Sequence, residues 1–201
     1  MLEAPLQQFL SNDPSLRLNR VAQILNSTQV AHTESTWTSS TRREQDGVNI
    51  VSIGIQTLPE EVTARWGVGT SNQNEQVLIK LSHELAHAFQ VEKGFEGALV
   101  RFLDGDNNIP DNFVPYIELY AILSDLGPIN GLTTESVYAQ QSRGTGNLKM
   151  EILEDITELI AAYIISDGYF AQRLESSVTN LSQEQKEQIA TKVIGVCMEL
   201  H

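Results

Sequence analysis

The 201 residues suit a single domain, and 41% hydrophobic side chains suffice for a core that hides well over half of the unfolded surface. Thirteen basic side chains against 26 acidic ones leave a formal charge of −13, which repels phosphate backbones and anionic membrane surfaces and removes nucleic acid and membrane from the expected partners. One cysteine, Cys197, cannot form an internal disulfide or half of a Cys-x-x-Cys zinc knuckle.

The opening MLEAPLQQFLSNDPSLRLNR holds neither a basic leader nor an unbroken apolar stretch, and no run reaches membrane-spanning length. A cytoplasmic chain is the default expectation, and export by a leaderless route is compatible with it. Asp13-Pro14 reads as an N-cap with proline in the first turn, and Leu16, Val21, Ile24 and Leu25 give a short helix its apolar stripe. Residues 27–46 are rich in Ser, Thr and Gln without helical periodicity, which predicts strands or loops. Asp46-Gly47 then forms a turn ahead of the β-branched run 49–55, the best strand in the chain.

A helix is predicted from about 75 to 92, where Leu78, Leu81, Leu85, Ala86 and Phe89 recur at helical spacing and Gly94 follows as a C-terminal cap. Residues 103–110 form a loop and 115–126 a helix, followed by Gly127-Pro128 and a Gly/Thr/Ser-rich segment to 147. One long helix is expected from about 148 to 174. Ser182 with Gln185 resembles a capping box that opens a last helix to about 200. No repeat or linker divides the chain, so residues 1–201 are read as one domain.

Chemistry concentrates at His83-Glu84-Leu85-Ala86-His87, inside the helix with the strongest apolar pattern. Two histidines at i and i+4 stand one turn apart on one face, so both imidazoles reach a single metal ion. Glu84 points about a quarter turn away, where it misses the metal yet reaches a water bound to it, as a general base must. In a chain with four histidines, such a match arises by accident on the order of once in a hundred sequences.

A catalytic zinc takes three protein ligands and leaves a fourth position for water. Gln90 and Lys93 stand where the metzincin extension needs Gly and His, so that subclass is excluded. His32 lies in a polar upstream segment and His201 is the terminal residue, which favours a downstream carboxylate. In the helix beginning near 148, Glu151, Glu154, Asp155 and Glu158 fall on one side, which continues into Ala161, Ala162 and Ile165. A side that turns from acidic to small and apolar suits carboxylates looking into a buried site. The competing explanation is an exposed acidic stripe favoured by the helix macrodipole.

On these two motifs the chain resembles the gluzincins, metallopeptidases that join a His-Glu-x-x-His helix to a downstream helix bearing Glu-x-x-x-Asp or Glu-x-x-x-Glu. The resemblance implies a zincin-like α+β fold and zinc as cofactor. It also implies Glu154 as third ligand and Glu158 as hydrogen-bond partner of a ligand histidine. Glu151 to Asp155 has the same spacing, and Glu158-Leu159-Ile160-Ala161-Ala162-Tyr163 is similar to the ligand surroundings in some aminopeptidases. Glu154 ranks first, Glu158 second and Glu151 third, because Glu154 alone has acidic partners at both i−3 and i+4. The family pattern further implies that the strand before the active helix forms the edge along which an extended peptide pairs. Gluzincins also carry a His, Tyr or Arg for the oxyanion; here a tyrosine or arginine is expected, with Tyr116, Tyr120, Tyr138, Tyr163 and Tyr169 as the tyrosine candidates.

Other features are set aside. Asp104, Asp106 and Asn108 imitate a calcium loop, but Ile109 stands where the sharp turn needs Gly and Pro115 where the closing Glu belongs. Trp37 and Trp66 read as packing residues, and Cys197 as a buried hydrophobe of the last helix. The expected architecture is α+β, with a small N-terminal sheet packed on the metal-bearing helix and a mainly helical C-terminal half. The expected activity is zinc-dependent hydrolysis of a peptide or protein substrate, with Glu84 as base. The competing functions are a zinc-binding regulatory or interaction module without turnover, and a helical interaction protein with an accidental motif.

Overall fold

In the computed structural model, residues 17, 20–21, 28–34, 39–42, 48–54, 73–126, 148–177 and 181–200 are described. Arg17, Arg20 and Val21 have helical backbone; the rest of the expected first helix, together with Trp37, Trp66 and Tyr138, lies outside the described residues.

Alternation along Asn49–Gly54 defines the sheet. Val51 and Ile53 are fully buried and Ile50 and Ser52 only partly, the two-residue period of a strand with one face on the core. Strand β1 (Thr28–Thr33) pairs parallel with β3 (Asn49–Gly54), and β2 (Ser39–Arg42) pairs antiparallel with β3 from the other side. The order is therefore β1-β3-β2, with Val51 opposite both Val30 and Ser40. This corrects one expectation: β3 is a middle strand, not an edge. The Ser/Thr-rich segment supplies strands to both its sides, so an extended peptide could not pair along it.

Helix α1 (Gln73–Lys93) is covered on nearly every side between Gln76 and Gln90. Lys80, Ser82, Glu84 and Gln90 are as buried as Leu81, Leu85 and Phe89, the mark of a central helix rather than a surface one. Such polar groups need partners. Lys80 Nζ donates to the carbonyl of Gly54 at 3.0 Å, which pins α1 to the end of β3 one turn before His83. Gly94, at φ 72°, ends α1 in the left-handed conformation, and the chain turns at once into α2 (Phe95–Leu103). That helix was not expected, because nine residues are too few for a helical period to declare itself.

After a 3-10 turn at Asp111–Phe113, α3 (Val114–Leu126) carries Pro115 in its first turn and buries Tyr116, Ile117, Leu119 and Leu123. The single helix expected from 148 to 174 is two: α4 (Leu148–Ile165) and α5 (Asp167–Ser177). The break falls at Ser166, whose Oγ accepts from the Tyr169 backbone N–H at 3.0 Å and so caps α5, while Asp167 adds a negative charge to its first turn. Helix α6 (Gln183–Val196) opens on the expected capping box, with Gln185 N–H donating to Ser182 Oγ and Ser182 N–H to Gln185 Oε1. A 3-10 turn at Met198–Leu200 follows it.

The layout is α+β. Strands β2 and β3 pack on α1, α1 packs on α4, and α3, α5 and α6 surround the remainder of α4. Among the described residues no helix is long and apolar enough to cross a membrane.

Candidate metal centre

Helical geometry sets His83 and His87 one turn apart on the face of α1 that meets α4, and their Nε2 atoms stand 3.1 Å apart. From α4, Glu154 brings Oε2 to 3.6 Å from His83 Nε2 and 3.5 Å from His87 Nε2. These three are the group among the described residues whose donor atoms could hold one metal ion. Donors at neighbouring corners of a tetrahedron around zinc, with bonds of about 2.0–2.2 Å, lie roughly 3.3–3.6 Å apart. The observed triangle is close to that size, and one cation would satisfy all three lone pairs together. The side chains retain between 14% and 26% exposure, enough to leave an approach from solvent.

Glu158, one turn after Glu154, sets Oε1 3.1 Å from His83 Nδ1, an ion-pair distance without the alignment of a linear hydrogen bond. Its other oxygen lies 3.9 Å from Arg173 on α5, a buried arginine. Burial alone would push His83 down, but the carboxylates of Glu158, Glu84 and Glu154 outweigh it and raise its pKa to about 9. Burial would likewise raise Glu154, yet His87 and His83 together hold its carboxyl below the usual range. Glu84 is buried beside His83, close enough for its charge to act on that ring.

Of the sequence candidates, the structure brings His83, His87, Glu154 and Glu158 together. Asp155 is fully buried and is not one of the converging donors. Glu151 has its backbone in α4, but its side chain lies outside the described residues, as do His201 and the side chain of His32. Tyr116 is committed to Gln90, and Tyr163 carries the Arg17 guanidinium over its ring. Among the described residues, Tyr169 is close enough to Glu158 and Arg173 for their charges to act on it: burial pushes its pKa up to about 12, with Arg173 opposing and Glu158 adding to the shift. Arg173 was not singled out from sequence; its one signal was a charge between the apolar Phe170 and Leu174.

Two of the features set aside lie among the described residues. Arg101 binds Asp106 through Nε at 2.9 Å and Nη2 at 2.6 Å, and the Asn108 N–H donates to Asp106 Oδ1 at 2.9 Å, so a guanidinium occupies the calcium-like carboxylate. The Asn108 N–H and Arg101 hold that carboxyl below its ordinary pKa. Cys197 is fully buried, which pushes its thiol up and keeps it protonated.

No protein-family model matches the chain, and no curated protein or solved structure is significantly similar to it. The resemblance to gluzincins therefore rests on the sequence motifs alone.

Proposed function

We propose that this protein is a zinc-dependent metallopeptidase in which His83, His87 and Glu154 hold the metal and Glu84 is the general base. The observation that carries this reading is the convergence of two imidazole nitrogens and one carboxylate oxygen at 3.1, 3.5 and 3.6 Å. That donor set suits zinc, which when bound supplies Lewis acidity toward a carbonyl and a water. Glu158 meets Nδ1 of His83 and so leaves Nε2 as the lone-pair donor toward the centre. Arg173 stands behind Glu158, 3.9 Å from its other carboxylate oxygen. Glu84 takes the proton from the attacking water as the new C–O bond forms, then delivers it to the amine as the C–N bond breaks.

A second reading, a zinc-holding regulatory or interaction module without turnover, gains weight from the middle position of β3, which removes the expected peptide-pairing edge. Metal analysis of purified protein, combined with peptide-library cleavage by wild type and Glu84→Gln, separates the two. One zinc per chain, cleavage by wild type and retained zinc with lost cleavage in Glu84→Gln support the peptidase. Zinc without cleavage in either protein supports the module, and absence of zinc overturns both.

A further inference from the structure

Three residues past His87 on α1, and three past Glu154 on α4, a second polar bridge joins the same two helices. Its members Gln90, Thr157 and Tyr116 are buried. Every bond has a fixed direction. Thr157 Oγ1 donates to the Leu153 carbonyl at 2.9 Å, so toward Gln90 it can only accept. Gln90 Nε2 donates to that oxygen at 2.7 Å and to the Ala86 carbonyl at 3.3 Å. The amide oxygen is left to accept from the Tyr116 hydroxyl of α3 at 2.8 Å. A reversed amide would set its oxygen against the Ala86 carbonyl, so one orientation satisfies the whole chain.

The apolar contacts around this bridge do not determine register to the same degree. Ile156 and Ile160 of α4 contribute burial and dispersion, which are non-directional and change gradually as one helix slides on another. A hydrogen bond weakens steeply once its angle opens, and a buried donor that loses its acceptor pays the desolvation penalty. The Gln90–Thr157 bond therefore resists small movements of α4 that the apolar surface tolerates. Glu154 lies one turn away on that same helix, and movements of that size decide whether its carboxylate stands 3.5 Å or much farther from the histidines.

We infer that Gln90, acting through Thr157 and braced by Tyr116, is a positioning residue of the metal centre: the chain fixes the register of α4 on α1 and with it the distance from Glu154 to His83 and His87. This rests on the zinc reading above. A bridge that serves stability alone would lower the melting temperature without altering the metal geometry.

The test loads the full chain with cobalt(II) in place of zinc and records affinity by chelator competition and the visible d–d absorption, which reports coordination number. Thr157→Val keeps the shape and removes the acceptor. It should lose roughly 10- to 100-fold in cobalt affinity, with a weakened or shifted band. Thr157→Ser, which retains the hydroxyl, should keep both properties near wild type. A Thr157→Val protein with wild-type affinity and spectrum but a lower melting temperature overturns the inference while leaving the metal reading intact. A wild-type protein that takes up no cobalt or zinc overturns both. Should Thr157→Val fail to fold, Tyr116→Phe removes only the donor to Gln90 and is read by the same two measurements, an unchanged spectrum and affinity again overturning the inference.

Discussion

His83 meets Glu158 through Nδ1 at 3.1 Å while Nε2 of the same ring faces His87 and Glu154. A carboxylate behind the ring favours the proton on Nδ1 and leaves the Nε2 lone pair toward the centre. On the proposed zinc reading Glu154 and Glu158 are thus unequal: Glu154 would supply a donor atom and Glu158 would set the state of another donor.

That inequality gives an order of effects. Glu154→Ala should abolish tight zinc binding, whereas Glu158→Ala should weaken it by roughly 10- to 100-fold. Chelator-competition titrations measure both. Reversed severities would move the ligand to Glu158, and a loss confined to Glu151→Ala would move it one turn earlier.

Zinc affinity should climb with pH. In the metal-free protein the surrounding carboxylates raise His83 from 6.5 to about 9 against the opposing effect of burial. Its protonated form therefore stabilises the metal-free fold fully below pH 6.5, and this contribution is lost as pH rises through 9. Zinc needs the neutral ring, so proton and metal compete. Affinity should gain up to about tenfold per pH unit from this group between those limits, then level off. The melting temperature of the metal-free protein should fall across the same window while the increment added by zinc grows. A zinc affinity that is flat from pH 6.5 to 9 would show that His83 does not exchange a proton for the metal.

What the sequence made legible was local. The β-branched run at 49–55, the His-Glu-x-x-His face and the Ser182/Gln185 capping box are each contained in a few consecutive residues, where residue type and spacing alone indicate the local geometry. Ser166 was hidden by the apolar run that leads up to it, although Ser-Asp-Gly is a helix-opening signal. The middle position of β3 depends on how two Ser/Thr-rich strands dock, and composition does not encode that order. Arg173 matters because α5 folds back on α4, and Gln90 because it meets a threonine 67 residues away. Neither pairing leaves a periodic trace. Glu154 and Glu158 could be paired from sequence because they lie one helical turn apart on the same element.

Gly195 sits at a close helix crossing. A Cβ there would stand 3.0 Å from Pro115 Cβ and 3.1 Å from its Cγ, and a proline ring cannot rotate away. Gly195→Ala gains about 1 kcal/mol of helix propensity but overpacks the α3–α6 contact at a cost of roughly 1–3 kcal/mol. The expected net result is a loss on the order of 1 kcal/mol in chemical unfolding, with zinc affinity unchanged. A gain in stability would mean that α6 shifts freely on α3.

Arg17 should matter far more than the acid it pairs with. Its Nη1 donates to the Tyr163 carbonyl at 2.8 Å, its Nη2 meets Asp167 Oδ1 at 2.5 Å, and its Cζ lies 3.9 Å over the Tyr163 ring. The guanidinium side chain is 4% exposed and the Asp167 side chain 77%. Water can therefore replace Asp167 but cannot easily reach the other two contacts. A charge-assisted hydrogen bond contributes about 1.5–3 kcal/mol and a desolvated cation–π contact up to about 2 kcal/mol. An ion pair ending at the surface contributes about 0–1 kcal/mol, to which the N-terminal dipole of α5 adds a similar amount. Arg17→Ala should then cost roughly 2–4 kcal/mol in unfolding, against about 1 kcal/mol for Asp167→Ala. Arg17→Lys should not restore the loss, because an ammonium cannot stack on the ring and fork between a carbonyl and a carboxylate together. Urea unfolding of the three variants decides the matter. Equal losses in Arg17→Ala and Asp167→Ala would mean that the ion pair, and not the buried grip on Tyr163, anchors Arg17 at the junction of α4 and α5.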